Sequence, residues 1–173
     1  MAKKAKAKKS IKRKSLTHDR LKELLNYCPD TGWWMALIKR KQLNIGDRAG
    51  SLGCQGYWRL KVDGRSYLSS RLAVFYMTGE WPLSEIDHKD LDHANDRWNN
   101  LRPATHSQNI ANTKAIAKSG LKGALEQASG RFMSRIRFQG KLIYLGTFDT
   151  KEESNAAYAK KAKEFFGEFA RVS

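Results

Sequence analysis

The chain has 173 residues, 33 Lys and Arg against 17 Asp and Glu, and a net charge of +16 with a pI near 10.0. That balance points to a polyanionic partner, because clustered Lys and Arg gain affinity by releasing counterions condensed on phosphates; a merely solvated surface is the plainer alternative. The length allows one ordinary domain or two small ones, no apolar run approaches the roughly 20 residues that cross a bilayer, and the start lacks a signal-peptide core, so an intracellular protein with no membrane partner is expected.

Residues 1–15 carry eight basic side chains and no acidic one, half the net charge. Such an arm cannot bury a core and is expected to be disordered when free, adding affinity for a nucleic-acid backbone without sequence choice. A nuclear-localisation reading of the same run is weak, since any Lys-rich tail would satisfy it. Thr17 is placed to cap a helix whose apolar positions Leu21, Leu24, Leu25 and Cys28 follow helical spacing, with Pro29 ending it. Asp30-Thr31-Gly32 is turn material leading into Trp33-Trp34-Met35. Strands are predicted over 57–62 and 65–68, joined by Asp63-Gly64, a dipeptide favoured in type I′ hairpins. Residues 71–78 have helical composition and Gly79 stops them. The tryptophans at 33, 34, 58 and 81 form no stripe and are assigned to the core. Cys28 and Cys54 form no CxxC pair, so zinc is not expected and both read as buried free thiols.

From Glu85 to Asn109 the chain becomes rich in oxygen and nitrogen donors. Residues 86–88 end a short strand begun near Ser84, and 89–99 are polar enough for a long loop. Thr105 and Gln108 make a capping box that starts a helix. Asn109 lies one turn into that helix, where its amide is expected to point back at the strand end carrying Asp87 and His88. The unit reads as strand, loop, strand, helix. Phosphodiester hydrolysis needs a nucleophilic water and a cation that neutralises charge on the leaving oxygen. A carboxylate and an amide oxygen leave a divalent ion open positions for phosphate and water. Magnesium, or manganese in its place, suits that arrangement. Histidine, with an unperturbed pKa of about 6.5, accepts a proton near neutrality. Asp87 and Asn109 are therefore the candidate metal ligands and His88 the candidate general base. His93 and His106 read as surface residues, possible neighbours of phosphate.

Asp87-His88, Asn100-Leu101-Arg102 and Thr105-His106-Ser107-Gln108-Asn109 resemble the signature of the HNH homing endonucleases of phages and introns. Gly56-Tyr57, the run from Val62 to Tyr67, Arg71-Leu72-Ala73 and Gly79-Glu80-Trp81-Pro82 resemble the lead-in of the same enzymes. The resemblance implies a ββα-metal fold and single-metal cleavage of DNA, with Asp87 and Asn109 on the metal and His88 activating water. It gives Asn100 the task of ordering the loop and keeping the histidine oriented. The chain departs from the pattern at Ser70, where a histidine is common, and at Leu91, where a glycine is expected because the turn requires positive φ. If phage-encoded, as the resemblance suggests, the protein would act in the host cytoplasm.

Residues 115–120 read as a linker. Beyond it, Arg131, Met133, Arg135 and Arg137 fall on one side of a strand, and Phe132, Ser134, Ile136 and Phe138 on the other. Gln139-Gly140 turns the chain into a partner strand over 141–147, and 121–127 can supply a third. Thr150 and Glu153 form a capping box, and Tyr158, Ala162, Phe165 and Phe166 make a helical stripe that can cover the apolar face. An arginine-bearing sheet suits groove reading, since a β-ribbon fits the major groove and Arg bridges two acceptors on guanine. Residues 119–123, Tyr144-Leu145-Gly146-Thr147-Phe148-Asp149-Thr150, Glu152-Glu153 and Ala156-Ala157-Tyr158 resemble the plant Apetala and ethylene-response type of DNA-binding domain. By that likeness Arg131, Arg135, Arg137 and Lys141 are the expected DNA contacts. Phe132 and Ala124 depart from the pattern, where Trp and Val are common.

The reading is thus an α+β chain: a basic arm (1–15), a ββα-metal nuclease domain (16–114), a linker (115–120), and a three-stranded antiparallel sheet packed on one helix (121–173). The expected activity is divalent-metal-dependent cleavage of double-stranded DNA, with no small-molecule cofactor. A non-catalytic DNA-binding protein on a degenerate nuclease fold is the alternative, and an RNA-binding structural factor, resting on charge alone, is the third.

Overall fold

A computed structural model describes residues 15–40, 42–114 and 119–172. All but the last residue of the expected basic arm, and residues 115–118 of the expected linker, lie outside the described residues.

Helix α1 (His18–Leu24) starts where Thr17 caps it, the hydroxyl accepting from the Arg20 backbone N–H at 3.2 Å. It does not continue to Cys28 as the apolar spacing suggested. Leu25–Cys28 form β1, paired antiparallel with β2 (Trp33–Ala36) in the register Leu25↔Ala36 to Cys28↔Trp33. Leu25 and Tyr27 are buried and Asn26 exposed, a period of two that competes with the helical period over the same apolar residues. The turn at 29–32 lets the hairpin win. Cys54 is exposed and Cys28 half-exposed, so the buried-thiol expectation fails: Cys54 sits in a turn among Gly53, Gln55 and Gly56.

Strands β3 (Ser51–Leu52), β4 (Trp58–Val62) and β5 (Arg65–Leu68) make a three-stranded sheet with β4 in the middle. Asp63 and Gly64 both have positive φ, 45° and 80°, as a type I′ turn demands. Helix α2 (Ser69–Thr78) begins two residues earlier than predicted and stops at Gly79. Of the tryptophans, Trp34 is fully buried and its indole N–H donates to Ser69 Oγ at 2.9 Å. Trp33 is not core: it is 47% exposed, because its strand turns it outward, and Arg48 lies over both it and Trp58.

Strands β6 (Glu85–His88) and β7 (Leu101–Ala104) pair antiparallel, with Asp87 opposite Arg102 and His88 opposite Leu101. Arg71 of α2 donates to the carbonyls of Pro82 (2.6 Å) and Ser84 (2.8 Å), which fixes where β6 begins. Helix α3 (His106–Ala111) follows with the predicted capping box complete. Strands β6 and β7 share one core with α1, the N-terminal hairpin, β4 and α2, from Leu21, Trp34, Leu60 and Leu72 to Ile86 and Leu101.

Strands β8 (Leu125–Glu126), β9 (Phe132–Phe138) and β10 (Lys141–Phe148) form the second three-stranded sheet, with β9 central. The third strand is shorter than the predicted 121–127. Its first half forms a turn instead, in which Ser119 Oγ donates to the Ala124 carbonyl at 2.7 Å. Helix α4 (Lys151–Phe166) carries the second capping box and covers the apolar side of β9. The second core joins the halves of the chain: Ala104 and Ala111 pack with Ile136, Ala162, Phe166 and Phe169. Among the described residues no helix is long and apolar enough to cross a membrane.

Candidate active site

Residues two apart on a strand share a face, so Glu85 and Asp87 of β6 both look toward α3. Asp87 is 3% exposed. Its carboxylate accepts from Asn112 Nδ2 at 2.9 and 3.1 Å and from Arg102 Nε at 2.8 Å. A buried carboxylate needs such partners, since an unpaired one would be driven to neutralise. Asn112 Nδ2 also donates to the His88 carbonyl at 2.9 Å.

Asn109 does not meet Asp87 as the sequence suggested. Its amide donates to Glu85 Oε2 at 2.7 Å, and His106 Nδ1 lies 2.9 Å from Glu85 Oε1. These contacts, Asn109 first, hold the Glu85 carboxyl below its ordinary range. The reason is helix pitch: α3 crosses β6 so that its first turn faces the strand's start, and Asn112, at the helix C-cap, faces Asp87. No sequence argument had picked out Asn112; its position three residues after Asn109, on the same helix face, was the available signal.

His88 points the other way and is equally buried, at 3% exposed. Its Nε2 lies 2.9 Å from Oδ1 of Asp96, itself 2% exposed. A carboxylate can only accept, so the proton sits on Nε2 and Nδ1 keeps its lone pair. Asp96 Oδ2 has no hydrogen-bond partner among the described residues, which leaves the carboxylate able to compensate an imidazolium. Tyr57 and His93 complete this side: their rings stack at 4.0 Å, and each lies 5.9 Å from the His88 ring. His93 is therefore not a plain surface residue. Burial, then the charges of Glu85 and Asp87, raise the Tyr57 hydroxyl above its usual pKa.

Asn100 ties the intervening loop together. Its Nδ2 donates to Asp90 Oδ1 (2.9 Å) and the Asn95 carbonyl (2.8 Å), while its Oδ1 accepts from the Asp90 N–H (3.1 Å). Direct contact with His88 belongs to Asp96, so Asn100 reaches the imidazole only through this loop. Burial pushes the Asp90 carboxyl up, but hydrogen bonds from Asn95, the Asp92 backbone and Asn100 outweigh it, leaving the pKa lowered. Leu91 has φ of 69°, the left-handed conformation anticipated where a glycine was expected. Asp96 is also braced from behind by Gly32, where an added Cβ would lie 2.5 Å from the Asp96 carbonyl carbon. The Tyr27 hydroxyl donates to the Asp96 carbonyl in the same place.

By residue type, one carboxylate and helix-borne carboxamides suit a hard divalent cation, but as arranged Asn112 turns Nδ2 to Asp87 and Oδ1 to Arg171, and Asn109 turns Nδ2 to Glu85. Among the described residues no three His, Cys, Asp or Glu side chains converge on one point, so the amides are needed to complete such a site.

On the C-terminal sheet the predicted alternation holds. Ser134 and Ile136 are buried, whereas Arg135 and Arg137 are exposed and carry no ion pair among the described residues. Arg131 differs, donating to Asp149 Oδ1 at 2.8 Å and the Thr147 carbonyl at 3.2 Å. Lys141 starts β10 opposite Phe138 and is exposed. The register adds two residues the sequence reading missed: exposed Tyr144 lies opposite Arg135, and exposed Leu142 opposite Arg137.

Two strands and a helix, with Asp-His at the end of the first strand and asparagines on the helix, define a ββα-metal type of module. Residues 67–111 match the HNH endonuclease family. The chain is also 38% identical over 71 residues to the ethylene-responsive transcription factor ERF117 of Arabidopsis thaliana. That match takes in 40% of this chain and 21% of the plant protein, so the chain spans about a fifth of that relative's length. A solved structure describing DNA binding and cleavage by the HNH homing endonuclease I-HmuI aligns over 51% of each chain, with 23% identity and a TM-score of 0.40. The resemblances to an HNH endonuclease and to an ethylene-response-type domain are both supported by these matches.

Proposed function

We propose that the protein is a divalent-metal-dependent DNA endonuclease in which residues 16–114 cut and residues 121–173 target. The observation that carries this reading is the buried His88–Asp96 pair beside Asp87, in a segment that matches the HNH endonucleases. His88 takes the proton of the attacking water on Nδ1, while Asp96 holds the ring through Nε2 and offsets the charge it gains. Asn100 keeps the loop closed so that Asp96 stays in place. Asp87 and a helix-borne carboxamide would hold the cation: Asn109 by resemblance, or Asn112, which is nearer Asp87 but would have to turn its Oδ1 from Arg171 to the ion. Magnesium or manganese, once bound, supplies charge neutralisation at the phosphate and leaving oxygen. Arg102 must yield Oδ2 of Asp87 for this to happen. Arg131, Arg135, Arg137 and Lys141 hold double-stranded DNA against the C-terminal sheet, and the basic arm adds affinity without sequence choice.

The near-complete burial of Asp87 and His88, with Arg102 already on the carboxylate, favours one second reading, a DNA-binding protein that no longer cuts. Supercoiled plasmid separates the two. The parent protein is expected to convert it to nicked or linear DNA only with a divalent metal, and His88→Ala to lose that activity. Absence of cleavage by the parent in both magnesium and manganese leaves the second reading standing.

A further inference from the structure

Where the two halves of the chain meet, a cavity of about 440 Å³ is ringed by Lys89, Arg102 and Arg171, with Asn112 and Glu168 also in its wall. Arg171 lies beyond α4, so the end of the C-terminal half reaches the flank of the nuclease unit. Its guanidinium donates to Asn112 Oδ1 (3.3 Å) and the Lys89 carbonyl (3.1 Å), both uncharged acceptors. Arg102 is shared, with Nε on Asp87 and Nη1 on the Glu168 carbonyl (3.1 Å) and carboxylate (3.3 Å); the Phe169 ring lies 3.8 Å below its guanidinium. Lys122, 8% exposed, stands behind Arg171 and donates to the Ala111 carbonyl at 2.6 Å. Burial, and then the charge of Arg171, lower its pKa to about 8.

Three cations therefore line an open seam, with Lys122 behind it. Lys89 is exposed and spends one ammonium hydrogen on the Asn99 carbonyl (2.8 Å). Of the two nearby carboxylates, Asp87 is committed to Arg102. The other, Glu168, is 72% exposed at its side chain and free to leave. Excess positive charge in a surface cleft favours an incoming anion. Because Arg102 spans both places, an anion in the cleft would sit one guanidinium away from Asp87. We propose that this seam binds a DNA backbone phosphate neighbouring the one to be cut, through Arg171 and Lys89, so that the end of the C-terminal half completes the nuclease site. The proposal rests on the nuclease reading for the identity of the neighbouring phosphate.

Binding of the full chain to a labelled duplex would be measured in EDTA, so that no DNA is cut, over about 50 to 200 mM salt. Arg171→Gln and Lys89→Gln should each weaken binding by about tenfold and flatten the log–log salt slope by about one unit. Arg171→Lys should restore the slope, and Glu168→Gln should tighten binding severalfold. Unchanged slopes in both glutamine variants overturn the proposal. So does weaker binding at every salt with an unchanged slope, since that reports altered folding. Tighter binding by Arg171→Gln also overturns it, marking the segment as a plug over the site. Plasmid nicking by the parent and by His88→Ala tests the nuclease reading separately. Wild-type slopes with His88-dependent nicking sink only the seam, whereas flattened slopes with no nicking in any divalent metal sink only the nuclease.

Discussion

Asp87 and His88 are almost wholly buried and each is tied to a charged neighbour, whereas Arg135 and Arg137, on the other half of the chain, stand in solvent with no ion pair among the described residues. On the proposed function, the contrast follows from what each group would do. A proton acceptor and a metal ligand need one fixed geometry in a dry setting, where electrostatic contacts are strong. Groups that meet phosphates must shed little more than water and counterions, so they are best left solvated until DNA arrives. On that reading one half is organised before binding and the other by it.

The largest effect that tests this contrast is on the rate of cutting. His88→Ala should lower it by about 10² to 10⁴-fold while leaving the salt slope of DNA binding as it was. A changed slope would mean that the buried site also carries affinity. Next in size is a proton linkage. Lys122 titrates near 8 when folded and ordinarily near 10.5. Between those values the unfolded chain holds more protons, so stability should rise with pH from about 8 to 10.5, by on the order of 3 kcal/mol. Urea midpoints of the parent and Lys122→Met, measured across that window, check it: the variant should lack the rise.

A smaller difference separates the two helix asparagines. Asn112→Ala removes a donor from the buried Asp87 and should destabilise by about 1 to 3 kcal/mol, whereas Asn109→Ala breaks an exposed contact with Glu85 and should cost well under 1 kcal/mol. Thermal melts of the two variants give the comparison, and equal losses would place both amides in one buried network. Smallest of all in free energy, Arg135→Ala with Arg137→Ala should flatten the salt slope by about two units without changing the cutting rate at saturating DNA. A lower rate there would show that the sheet also positions the scissile phosphate.

Features governed by a few neighbouring residues were legible in the chain alone. The capping boxes at Thr105 and Thr150, the Asp63-Gly64 turn and the alternation through Ser134 and Ile136 all appear as read. The same residues 25–28 fit a helix and a strand, and only the pairing with 33–36 decided between them. Asp96 and Tyr144 carried no local mark of importance, and Asn112 only its spacing from Asn109. Their places depend on a loop closed by Asn100, on the angle at which α3 crosses β6, and on a hairpin register with a bulge near Gly146.

The order of side chains along the chain determined which chemical groups were present and, through short-range periodicity and turn chemistry, most of the elements that hold them. Which amide faces Asp87, which carboxylate holds His88 and how Arg171 reaches the seam were decided by packing between distant segments. Contacts of that kind depend on crossing angles and excluded volume among residues 8 to 82 positions apart, and no local pattern encodes those.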